Sequence, residues 1–154
     1  MSTRARIGLV GLIISGVLVA LVTMTSAGAE SFHVSLARFW RRLFVGISEA
    51  AVFTGSEFNF ITNVFMFVPL GFFLGLMLSR RRYWVGFAVL PLTSALIEGI
   101  QWFMPTRGTQ LMDFLANSLG GWVGLAVAAA LLNVWDQIQD RRKTNRVLDG
   151  APKG

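Results

Sequence analysis

Apolar residues fall in four runs, 7–29, 58–79, 83–106 and 108–135. Each is long enough to cross the hydrocarbon core of a bilayer, which takes about 20 residues of helix. The first two runs carry no charge, the third only Glu98 and the fourth only Asp113. The expected fold is all-α: a polytopic four-helix membrane bundle forming one domain over 1–136, followed by a basic tail over 137–154 whose polarity predicts mobility. Between the first two runs, Leu36, Phe39, Trp40, Leu43, Phe44 and Ile47 recur at helical spacing. They predict an additional amphipathic helix over about 35–50, either lying in the outer interface with Arg38, Arg41 and Arg42 among headgroups or capping the bundle. Gly55 and Ser56 read as a short linker, and 105–109 as a tight outer turn broken by proline and glycine.

Periodicity within the runs sorts their few polar positions. Side chains three or four apart share a helix face, so Ser94, Glu98 and Gln101 form one stripe, and Asp113, Asn117, Gly120 and Gly124 another. Asn59, Asn63, Gly71 and Gly75 make a third, on a helix that Pro69 is expected to bend. Carboxylates facing lipid are costly and glycines let backbones approach, so all three stripes are expected to face protein. The glycine pairs could pack within one bundle or between copies.

Composition agrees with a membrane protein: of 154 residues 54% are hydrophobic and only 14% charged, with a mean hydropathy of +0.60. There is no cysteine, which excludes disulfides and thiolate metal sites. The net charge of +6 is mostly topology signal. Arg4 and Arg6 precede the first run, Arg80, Arg81 and Arg82 join the second to the third, and Arg141, Arg142, Lys143 and Arg146 follow the fourth. Basic residues stay on the cytoplasmic side of short loops, so both termini are expected in the cytoplasm. No basic surface alternates with aromatics outside the runs, which argues against nucleic acid as a partner. The first run also admits a reading as a secretory signal ending at Ala27-Gly28-Ala29, although it exceeds the usual apolar length of roughly 7–15 residues. A retained helix is the preferred reading.

Depth decides what the polar residues could do. At about 1.5 Å per residue, Asn63, Glu98, Gln101, Asp113 and Asn117 all lie in the outer half of the bundle, with Arg107 at its rim. They are expected to line a shallow hollow open to the outer face. Glu98 and Asp113 are the acid/base candidates, Arg107 an anion clamp, and Gln101, Asn117 and Asn63 binding groups. A second reading makes the same residues structural: a Glu98–Arg107 or Asp113–Arg107 pair with interhelical amide bonds that hold the helices in register. His33 stands alone outside the runs, so neither a zinc site nor a histidine nucleophile is expected, and no metal or cofactor is assigned. A Ser–His protease pair inside the bundle is excluded for the same reason. A transporter is disfavoured because the inner half has no polar path and the chain no paired repeats.

The order "NVFMFVPLGFFLG" (63–75), a basic loop, "IEGIQ" (97–101), Arg107 and "DFLANSLGGWVG" (113–124) resembles the VanZ-like family of small bacterial membrane proteins. The resemblance places the family's polar positions at Asn63, Glu98, Gln101, Arg107, Asp113 and Asn117, and its packing positions at Pro69, Gly71 and Gly120. Gln110 and Met112 stand where many relatives carry acids. What the resemblance implies is an envelope role, linked in some members to glycopeptide antibiotics of the teicoplanin type. Membrane lipids or a lipid-linked envelope precursor are the partners expected.

Overall fold

The computed structural model describes residues 2–24, 35, 55–103 and 111–149, with side chains described for all of these except 55–58 and 146–149. The amphipathic helix expected at 35–50, the outer turn, His33, Arg107 and the Ala27–Ala29 segment lie outside the described residues, apart from Ser35. Among the described residues four helices carry the fold: α1 (Thr3–Met24), α2 (Gly55–Met77), α3 (Tyr83–Trp102) and α4 (Leu111–Asp149), with a short 3₁₀ turn at Arg80–Arg82 between α2 and α3. All four are long and apolar enough to cross a membrane, as the apolar runs require. Gly55 and Ser56, read from the sequence as a linker, are already helical. Helix α2 continues through Pro69 and α3 through Pro91 as single elements. A bilayer-embedded helix tolerates proline because neighbouring groups can satisfy the freed backbone.

Small residues decide which helices touch. On α1, Gly8, Gly11, Ser15, Val19 and Thr23 are buried at steps of three and four, a narrow stripe that faces α2. A Cβ at Gly8 would lie 2.8 Å from the backbone nitrogen of Met77, and one at Gly11 would enter the Phe73 ring. Side chains are thus replaced by direct backbone approach, the mode by which helices associate in lipid. Ser15 and Thr23 satisfy their hydroxyls within α1 by donating to the carbonyls of Gly11 (2.7 Å) and Val19 (2.8 Å).

The α2–α4 seam is the most extensive helix contact among the described residues. A Cβ at Gly120 would strike the Val64 carbonyl, one at Gly124 the Val68 carbonyl, and one at Gly71 the Gly121 carbonyl. Gly75 meets Ala128 further along. Residue numbers rise together across these contacts, so α2 and α4 run parallel, and both glycine pairs are used inside the bundle. Helix α3 runs antiparallel to α4: Gly86 packs on Leu125 and Leu90 on Gly121. There the Trp122 indole N–H donates to the Phe87 carbonyl at 3.0 Å, while the two rings stack with centroids 4.4 Å apart. The core between these seams is apolar, with Phe67, Leu70, Leu74, Leu90 and Leu125 buried.

This up-down arrangement puts the N-termini of α1 and α3 beside the C-terminus of α2, and all the arginines that flank them at one end. Arg4 donates to the Leu78 carbonyl at 3.3 Å, and Arg80 pairs with Asp136 at 2.6 Å. Beyond that pair α4 continues as helix to Asp149, so the segment expected to be mobile is helical over most of its length. Its 39 residues correspond to roughly 58 Å, about twice the hydrocarbon thickness of a bilayer. Polar side chains predominate over 137–145, and Lys143 lies 3.8 Å from Asp140 one turn away.

Candidate polar site

The end opposite the arginines gathers the C-termini of α1 and α3 and the N-termini of α2 and α4. Asp113 lies in the first turn of α4, where the unpaired N–H groups of the helix end favour a negative charge. Asn63 of α2 donates its amide N–H to the Asp113 carboxylate at 2.8 Å, joining the two parallel helices across the seam. A hydrogen bond to a charged acceptor is roughly twice as strong as a neutral one, and here it orients the carboxylate.

One turn further along α4, Asn117 is only 2% exposed. Its amide oxygen is buried without a hydrogen-bond donor among the described residues. The hydroxyl of Thr62, on the neighbouring face of α2, is in the same condition. Ser118 and Ser94 both donate to the Phe114 carbonyl, at 2.7 and 3.4 Å, tying α3 to α4 at this level.

The α3–α4 register brings in Glu98. Gly86 stands against Leu125 and Leu90 against Gly121, so each step of four along α3 answers a step of four back along α4. Continued outward, Ser94 reaches the level of Asn117, and Glu98 that of Asp113. Glu98 is half-buried, and its Oε2 atom is shielded from solvent. The carboxyl group is therefore turned into the bundle.

Gln101 goes elsewhere. It is 5% exposed and donates its amide to the Thr23 carbonyl at 2.8 Å. That carbonyl lies in the last described turn of α1. Gln101 thus links α3 to α1, whereas Asn63 and Asp113 link α2 to α4. Arg107 lies outside the described residues. Of the candidates read from the sequence, Asn63 and Asp113 are brought into direct contact, Glu98 and Asn117 share their end of the bundle, and Gln101 serves a different seam.

Thr62, Thr23 and Ser118 belong to this end and were not singled out by the polar stripes. Thr62 had a signal, since it stands in phase with Met66 and Leu70, buried positions of α2. A threonine there reads as core from the sequence because its methyl group fits an apolar face. Chemically, this end of the described bundle is rich in acceptors: two carboxylates and the Asn117 oxygen. It suits a ligand offering hydroxyl or N–H donors. Among the described residues no group of three His, Cys, Asp or Glu side chains is placed to hold a metal ion.

Residues 9–133, most of the chain and all of the polar end, match the model of the VanZ/LLP1 family. Protein VanZ of Enterococcus faecium is 27% identical over 95 residues, which is 62% of this chain and 56% of that relative. The chain thus spans little more than half the length of that curated relative. No solved structure matches. With four apolar helices, the glycine seam and the matched segment in agreement, the chain belongs to the VanZ/LLP1 family.

Proposed function

We propose that this multi-pass protein sits in the bacterial plasma membrane with both termini cytoplasmic, and that its outer polar end binds an anionic, lipid-linked component of the cell envelope. What supports this reading is that Asp113 and Asn117 of α4 and, by the α3–α4 register, Glu98 of α3 lie at the end of the bundle opposite Arg4 and Arg80, with an Asn117 oxygen left unsatisfied among the described residues. In this reading Arg107 clamps the anionic group, while the carboxylates and Asn117 accept hydrogen bonds from hydroxyl or amide groups of the same ligand. Glu98 and Asp113 are the groups that would move a proton if a reaction follows binding, with Asn63 orienting Asp113.

From what the family resemblance implies for some members, the reading extends to a link with glycopeptide susceptibility of the teicoplanin type. The test is a deletion strain complemented with wild type, Glu98→Gln or Asp113→Asn, scored for teicoplanin susceptibility, envelope precursors and membrane abundance. Loss of phenotype at normal abundance supports the site. Wild-type behaviour of both substitutions at normal abundance overturns it.

A second reading rests on the bonds from Asn63 to Asp113 and from Gln101 to Thr23, which join helix pairs. Here the protein is a non-enzymatic assembly or envelope factor, and the polar residues only hold the bundle. Loss of phenotype in strict proportion to loss of protein supports that reading.

A further inference from the structure

At the arginine end, on the outer surface of the bundle, α1 and α2 leave a groove of about 430 Å³ lined by Arg6, Ile7, Val10, Gly11, Ile14 and Phe73. Its origin is the glycine at position 11: without a side chain there, the Phe73 ring lies against the α1 backbone and forms a floor. Ile7, Val10 and Ile14 stand beside it, each more than half exposed. From Arg6 to Ile14 the helix rises about 12 Å, most of one leaflet's share of a hydrocarbon core about 30 Å thick. The lining is apolar along this length and cationic at its mouth.

Arg6 is in the first turn of α1, at headgroup depth for a helix that spans from Thr3. Arg4 uses its guanidinium on the Leu78 carbonyl and Arg80 uses its own on Asp136. The Arg6 guanidinium is exposed and makes no hydrogen bond or ion pair with any described residue. A cation held at headgroup level directly above an apolar slot is complementary to one molecule: a lipid with an acyl chain and a negative phosphate.

We propose that this groove is a binding site for one anionic phospholipid of the leaflet at the arginine end, its chain along Val10, Ile14 and Phe73 and its phosphate on Arg6. The site is independent of the polar end and of any function assigned there. A lipid held in it fills the notch between α1 and α2.

The test uses the full chain in detergent, titrated with phosphatidylglycerol or phosphatidylcholine and followed by native mass spectrometry. The expected result is one phosphatidylglycerol retained about fivefold more strongly than phosphatidylcholine. Arg6→Gln is expected to abolish that preference, whereas Arg81→Gln, which removes an equal charge from the neighbouring turn, leaves most of it. Ile14→Trp, which fills the exposed groove wall, is expected to lower retention of both lipids. Melting temperatures of the variants within a few degrees of wild type show that each folds. Equal retention of the two lipids, equal effects of Arg6→Gln and Arg81→Gln, or an Ile14→Trp protein that keeps its lipid would overturn the proposal.

Discussion

Asn117 holds an amide oxygen that is sealed from solvent and faces no donor among the described residues, a condition that costs about 1–3 kcal/mol in a protein interior. Asn63, one helix away, spends its amide on Asp113. The two asparagines therefore differ in what their loss should do. Asn63→Ala removes a formed interhelical bond and is expected to destabilise the protein by about 0.5–2 kcal/mol. Asn117→Ala removes an unsatisfied acceptor, so relief of that penalty offsets lost packing, and the change is expected to stay below about 1 kcal/mol. Thermal unfolding in detergent separates them, and an Asn117→Ala protein that melts well below Asn63→Ala would make Asn117 a strut. Gln101→Leu should behave like Asn63→Ala, because it removes the bond to the Thr23 carbonyl that ties α3 to α1.

At the scale of elements the glycines divide sharply. Gly120 sits against the Val64 carbonyl, whereas Gly99 on α3 has nothing within 4 Å of where a Cβ would stand. Gly120→Ala must push α2 and α4 apart and is expected to cost about 1–3 kcal/mol. Gly99→Ala is expected to be neutral or to add up to about 1 kcal/mol of helix stability. Melting curves of the two proteins in the same detergent check the contrast. Much of this level was legible in the sequence. Run length set the four spans, and the i, i+4 stripes correctly turned Ser94, Asn117 and Gly120 inward, because burial in lipid penalises polar groups wherever they face out. The partner of each stripe was not legible. Nothing in a single helix tells Gly71 that it meets Gly121, or Gln101 that it meets Thr23, since those choices follow from the packing of whole helices. The continuation of α4 past Trp135 was missed for a related reason: hydropathy marks where a helix leaves the apolar phase and is silent on where its hydrogen bonds stop.

Among the described residues of the bundle, the arginines gather at one end and the asparagine–carboxylate contact lies at the other. Arg4, Arg80 and Asp136 meet at one end, Asn63 and Asp113 at the other. If basic residues set the orientation, the first end is cytoplasmic. The chain has no cysteine, so single substitutions report sidedness directly. Ser79→Cys in intact cells is expected to resist a membrane-impermeant maleimide, and Thr109→Cys to react with it. The reverse pattern would turn the polar end toward the cytoplasm and remove the outer-envelope ligand from consideration. The family match reaches every helix of the bundle, whereas the fourteen residues of α4 beyond Trp135 lie past residue 133, where the matched segment ends.

Whether Glu98 and Asp113 face one another across α3 and α4 decides whether a site exists at all. The most direct measurement is cross-linking of Glu98→Cys with Asp113→Cys in native membranes, using a short bifunctional thiol reagent and Gly99→Cys with Asp113→Cys as the outward-facing control. The expected result is an intramolecular product from the first pair and little from the second. Failure of the first pair to cross-link, or equal yields from both, would contradict the convergence on which the proposed function stands.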